Sequence, residues 1–188
     1  MPYPSQLHKG RCIPGEILAI PHDQKLVIEI ILLKNEIEHD IHSEVARVER
    51  SRKLTDTPIL TNDDADKYTI DRSIDDAIST VVGRCQAYML MPSPFVHRTI
   101  TNHVYEWQEK SIYLAFPYNF PPGCVESLRM AIHRFIVKSV VFELLTSALP
   151  NDPYTQICSN SIIATDNEIN ALLNARLGAI EIHPTFLG

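Results

Sequence analysis

The chain has 188 residues, 45% of them hydrophobic, and a formal net charge of −6. This length suits one domain, with enough residues to bury a core that needs no disulfide or metal to hold it. No segment gathers basic residues into the stripe that binding to bare nucleic acid requires, and no apolar run approaches the roughly 20 residues of a membrane-spanning helix. The first residues lack a secretory signal, and the cysteines are widely spaced (Cys12, Cys85, Cys124, Cys158). These features predict free thiols in a reducing cytoplasm.

Residues 1–22 contain four prolines and predict an extended N-terminal arm, with a short strand or turn around residues 17–20. An amphipathic helix is predicted next, over residues 24–53, because apolar residues recur there every three or four positions: Leu33, Ile37, Ile41, Val45, Val48. Its first part, residues 26–33, is apolar nearly all round and would also suit a strand, so both interpretations stay open.

Residues 54–69 hold Pro58 and an acidic cluster and predict a loop before a second helix over residues 70–90. A β-hairpin follows at residues 95–117, because Val, Ile, Thr and Tyr are frequent there and residues 111–117 alternate. Trp107, Gln108, Glu109 and Lys110 are the predicted turn.

The third helix is predicted over residues 123–149, and Pro150 closes it. Asp152 followed by Pro153 is typical of a helix start and predicts a fourth helix. A second capping signal at Thr165 and Asp166 allows this helix to break there and restart towards Ile180. The sequence therefore predicts a mainly α fold: a bundle of about four helices with an inserted β-hairpin, forming a single domain over residues 23–182 between the arm and a tail at 183–188.

Few residues suggest a metal site. His39 and His42 are three residues apart on the first helix, with Glu38 and Asp40 beside them, and such a pair can share an ion. The H-x-x-H pattern is frequent by chance, and no third spaced ligand accompanies it. A solvated helix surface is the favoured interpretation, and no metal or cofactor is predicted.

Candidate catalytic groups are equally weak. His133 lies among apolar residues of the third helix, where a buried histidine bonded to the backbone is favoured over a catalytic one. Neighbours in the pairs Asp63–Asp64 and Asp75–Asp76 point in different directions on a helix, and helix-start electrostatics is the favoured explanation of the second pair. No nucleophile or phosphate-binding signature is present, which predicts a protein that is not an enzyme.

The predicted hairpin tip offers the clearest candidate interface. It carries Trp107, the single tryptophan, with Tyr105 and Lys110 close by. Aromatic side chains at such a tip often anchor a partner protein. The alternative, in which Trp107 folds back onto the bundle, has equal weight.

One segment carries a family resemblance. The run Ser111 to Phe120 (SIYLAFPYNF) leads directly into a helix that contains Leu128, His133, Phe135, Val137 and Leu144. This resembles a module of structural proteins in phages and prophages of Bacteroides-type bacteria. The order of arm, helices and hairpin is similar to that of the connector proteins of tailed phages, which form rings between the portal and the tail.

The resemblance implies a virion structural protein, a head–tail connector or tail-completion subunit, assembled in the cytoplasm of a bacterial host. Its partners would be further copies of itself and neighbouring portal or tail proteins, and DNA would pass through the ring without specific binding. Membrane association is not implied. Two alternatives stay open: a small cytoplasmic adaptor that binds one protein partner, and a metal-dependent enzyme that uses His39, His42 and nearby acids.

Overall fold

The computed structural model describes residues 17–19, 25–54, 58–60, 64–90, 94–101, 104–117 and 119–176. Its helices are α1 (Lys34–Arg52), α2 (Asp64–Cys85), α3 (Cys124–Ala148) and α4 (Pro153–Leu173), with a 3₁₀ turn at Gln86–Tyr88. Its strands are β1 (Ile17–Ala19), β2 (Lys25–Leu33), β3 (Phe95–Thr101) and β4 (Val104–Pro117). The predicted mainly helical fold with four helices and an antiparallel hairpin is confirmed. No described helix is long and apolar enough to cross a membrane.

The hairpin belongs to a larger antiparallel sheet with the strand order β1-β2-β4-β3. β2 pairs with β4 along its whole length, from Lys25 opposite Pro117 to Leu33 opposite Glu109. The strand interpretation of residues 26–33 is therefore right, and the predicted helix start at residue 24 is wrong. Apolar residues occupy both faces of β2, as in a strand covered on both sides, and the helical period begins only at Lys34.

The predicted N-terminal arm is only partly described. Residues 17–19 form β1, which pairs with β2 at Ile17 opposite Ile28, so this part of the arm lies in the sheet of its own chain. The predicted short strand is thus confirmed. The rest of the arm and the predicted tail at 183–188 lie outside the described residues.

Helix α3 is the centre of the core. It contacts α1, α2, α4 and β2, and it contributes fully buried side chains along most of its length, among them Leu128, Ile132, Ile136 and Val140. Cys85 from α2 lies in the same core as a small apolar residue, and burial raises the pKa of its thiol to about 11. Cys124 and Cys158 are free thiols like Cys85.

Helix α4 begins where the sequence predicts. The Asp152 carboxylate accepts a hydrogen bond of 2.7 Å from the Tyr154 backbone N–H, with Pro153 at the first helical position. The predicted break near Thr165 is wrong, because the helix continues to Leu173. The Thr165 hydroxyl donates to the Ser161 carbonyl at 2.7 Å, so this buried side chain is satisfied inside the helix and does not cap a new one.

Candidate interaction surfaces

Trp107 does not lie at the hairpin tip. The strands β3 and β4 meet at Thr101 opposite Val104, so the predicted turn at 107–110 is wrong and these residues are part of β4. The pairing skips Gln108, which makes a β-bulge. The extra residue turns Trp107 to the helix-facing side of β4, and its side chain is 8% exposed. The alternative, in which Trp107 folds back onto the helices, is right.

Two lysines enclose the Trp107 ring. The Lys110 ammonium lies 4.3 Å from the ring centroid and the Lys34 ammonium 6.0 Å from it. Lys110 also bonds the Asp75 carboxylate, while Lys34 lies 2.7 Å from Asp71. Lys34 is only 7% exposed although it is the first residue of α1. Cation–π contacts and ion pairs therefore hold the sheet against α1 and α2.

These contacts affect the predicted interface of Tyr105, Trp107 and Lys110. The ring of Trp107 and the ammonium of Lys110 have partners within their own chain and little exposed surface. The side chain of Tyr105 lies outside the described residues. An interface role for these three residues stays a prediction.

A cleft of about 520 Å³ runs between α1 and α3. In its wall the Nε2 atom of His133 lies 2.9 Å from an oxygen of Asp40. The partner of His133 is therefore a carboxylate, whereas the sequence favoured the backbone. Glu36, His39 and Arg129 line the same cleft. Among the described residues no three His, Cys, Asp or Glu side chains are grouped to hold a metal ion.

The acidic pair on α2 has separate partners. Asp75 bonds Lys110 of β4, and Asp76 lies 3.9 Å from Arg72 one turn earlier. As predicted, the two carboxylates do not converge. The helix-start explanation is wrong, because α2 begins at Asp64, well before them. Asp63 lies outside the described residues.

A half-buried polar cluster joins α1, α3 and α4. The Tyr154 hydroxyl donates to the Glu44 carboxylate, which also accepts from Arg47 at 2.8 Å and lies 3.1 Å from the Lys138 ammonium. Burial, reinforced by Glu44, raises the pKa of Tyr154 to about 12. Burial alone would raise the pKa of Glu44 too, but the hydrogen bonds from Tyr154, Arg47 and Lys138 outweigh it and hold that pKa below its ordinary value. Sequence reasoning missed this cluster because Tyr154 lies 110 positions from Glu44.

The outer face of α4 differs from that of every other helix. All of α4 is described, and none of its exposed residues carries a charge: Pro153, Gln156, Ile157, Asn160, Ile163, Ala164, Asn167, Ala171. Its two charged residues are paired at the flanks, Asp166 with Arg84 at 3.0 Å and Glu168 with Arg134 at 2.8 Å. Two large apolar side chains stand in solvent, Ile157 at 58% and Ile163 at 59% exposure. The sequence shows this signal directly, since residues 153–165 contain no charged residue.

No family model, no curated protein and no solved structure matches the chain.

Proposed function

We propose that the chain is a structural subunit of a tailed-phage virion, a head–tail connector or tail-completion protein that works as a ring of identical copies. The observation that supports this proposal is where the resembling segment lies in the fold. Residues 111–145 comprise the second half of β4, the following turn and most of α3. They include the central buried side chains Ile112, Leu114 and Leu128. The resemblance thus concerns the framework of the protein.

The ring would form through edge-to-surface contacts between neighbouring subunits. β3 is an edge strand, and among the described residues it pairs only with β4. An unpaired strand edge accepts an extended segment from another chain by backbone hydrogen bonds. In this proposal the N-terminal residues of one copy add to β3 of the next. Such a contact uses two different patches and closes into a ring when the rotation allows it.

The assembly step is tested by the mass of the purified protein, measured by light scattering and native mass spectrometry over a range of concentrations. We expect a closed oligomer, or a series of species that grows towards one. A variant that lacks residues 1–16 keeps β1 and the rest of the sheet. It should assemble less and retain the helical circular-dichroism signal. A full-length chain that stays monomeric throughout would contradict self-assembly, as would a deletion variant that assembles unchanged.

The virion role needs a separate test. Tailed-phage particles would be induced from the bacterium that carries the gene, purified on a density gradient and analysed by quantitative mass spectrometry. We expect peptides of this chain in intact particles at several copies each, as for known tail proteins of the same particles. Particles that contain their other tail proteins and none of this chain would refute the proposal.

A second candidate function is a helical adaptor that binds one protein partner. The cleft between α1 and α3 favours it, because acidic, basic and imidazole groups line one concave surface. A monomer at every concentration, together with one protein captured by the wild-type chain and lost on Arg129→Glu, would support this function over the ring.

A further inference from the structure

The neutral outer face of α4 has a regular order. Ile157, Asn160, Ala164, Asn167 and Ala171 follow one another at spacings of three and four residues, and all five are exposed. This spacing places them in a single stripe along the helix, about 21 Å long. An exposed helix surface normally carries Lys, Glu and Arg, which favour both helix formation and solubility. Asparagine has lower helix propensity, so helix stability does not explain its presence at two of these five positions.

We propose that this stripe binds the same stripe of a second copy of the chain, with the two α4 helices antiparallel. The chain carries a net charge of −6, so most of its surfaces repel one another. Among the described helices, α4 has an outer face on which two copies can approach without bringing exposed like charges together. Asparagine side chains both donate and accept hydrogen bonds, and asparagine in a helix–helix contact fixes register.

The order of side-chain sizes favours the antiparallel arrangement. Ala164 lies midway between Ile157 and Ala171 in the chain. A two-fold axis at Ala164 therefore sets each Ile157 against the small Ala171 of the other copy, and brings Asn160 and Asn167 to within about 1.5 Å of the same level along the helices. Two alanines meet at the axis and let the helices approach to about 8 Å. A parallel pair would instead put isoleucine against isoleucine at one end and leave a gap between alanines at the other.

The size of the surface indicates a weak dimer. One helix face buries much less than the roughly 800 Å² per partner of a standard stable interface. We therefore expect a dissociation constant on the order of 10 μM to 1 mM. The contact is two-fold, with the same patch on both copies, so it goes beyond the ring proposed above and does not depend on it.

The position of the axis is tested by a cysteine at Ala164. Mild oxidation of Ala164→Cys should give a disulfide-linked dimer, because both thiols lie next to the axis within bonding range. Ala65→Cys is the matched control, an exposed alanine on α2. The wild-type chain reports the background from its own cysteines. Cross-linking of Ala164→Cys no faster than of Ala65→Cys would overturn the proposal.

The pairing of Asn160 with Asn167 is tested by sedimentation equilibrium from about 5 to about 500 μM, a range that brackets the expected affinity. Asn160→Asp with Asn167→Asp sets like charges opposite each other twice and should raise the dissociation constant about tenfold or more. Asn160→Lys with Asn167→Asp sets opposite charges there and should restore the dimer. Equal affinity of the two double variants would overturn the proposed register. Deletion of residues 1–16 should leave this dimer intact, so failure of the ring and failure of the dimer are distinguishable.

Discussion

The outer surfaces of α1 and α4 use their residues in opposite ways. Helix α1 exposes several charged side chains, and many of them reach a neighbouring helix, as Asp40 does to His133, Arg47 to Tyr154 and Arg52 to Asp152. Helix α4 has only two charged residues, and both pair sideways, with Arg84 and Arg134. Charged groups in this protein hold helices to one another. The surface they leave free is the one suited to a neutral, self-complementary contact.

The largest loss of stability is expected for a substitution in the core beneath both surfaces. Leu128 of α3 is fully buried, and Leu128→Ala removes apolar contacts and leaves a cavity. Unfolding by urea, followed by circular dichroism, should show a loss of about 2–5 kcal/mol. Met130→Ala is the control, because this side chain on the same helix is 42% exposed and its loss should cost about 0.5 kcal/mol or less. Equal losses in the two variants would contradict the burial of Leu128 in the core.

The second largest loss of stability is expected in the polar cluster around Glu44. Glu44→Gln keeps the shape of the side chain but removes the charge that Tyr154, Arg47 and Lys138 share. We expect a loss of about 1–3 kcal/mol in the same urea experiment, because the acceptor at this half-buried site is no longer charged and the new amide group faces donors. Glu143→Gln, an exposed carboxylate on α3, is the matched control. A double cycle with Tyr154→Phe should show that the two losses are not additive.

Acid should weaken the same polar cluster. The pKa of Glu44 is lowered in the folded state, so its stabilisation is present above the ordinary value of 4.5 and is lost as the pH falls through the lowered pKa. Asp152 also contributes stability that is lost at low pH, because Arg52 and the Tyr154 N–H lower the pKa of its carboxyl. Glu38 has the opposite effect on how stability depends on pH, because burial raises its pKa. Unfolding free energies measured from pH 7 to pH 3 should therefore fall less steeply for Glu44→Gln than for wild type.

The smallest effect on folding is expected on the outer face of α4. Ile163→Gln should change the free energy of unfolding by no more than about 0.5 kcal/mol, since the side chain is 59% exposed. It should also lower association at high concentration, as measured by sedimentation, because Ile163 lies beside the proposed stripe, three residues from Asn160 and four from Asn167. Tyr68→Gln on α2, which changes a still more exposed side chain, should leave association unchanged. A loss of stability in Ile163→Gln as large as in Glu44→Gln would show that α4 packs differently from this description.

The helices could be predicted because their signals are local. The spacing from Ile37 to Val48 and the Asp152–Pro153 start are complete within a few turns of chain. The identity of β2 could not be decided in this way, since an apolar run fits a strand or a buried helix and its partner β4 lies far along the sequence. The bulge at Gln108, which turns Trp107 inwards, leaves no mark in the composition of the strand.

The polar clusters could not be predicted either, because their partners lie far apart in the sequence. Lys34 begins α1, where the helix dipole disfavours a cation, and its contacts with Trp107, Asp71 and Glu38 compensate for its burial there. His133 could be read as a buried histidine, but Asp40, its partner, lies 93 positions away. The neutral face of α4 was also missed, although its signal is local, since residues 153–165 contain no charged residue.

The pairing of β2 with β4 has a consequence for the synthesis of the chain. Glu29 lies opposite Tyr113, 84 positions later, so the ribosome makes the apolar strand β2 long before its partner exists. At synthesis rates of about 5–20 residues per second, this delay is roughly 4–17 s. During that interval β2 carries apolar side chains on both faces and unpaired backbone groups on the edge that later meets β4. Nascent chains of this protein therefore expose an apolar strand to chaperones and to one another before the fold can close.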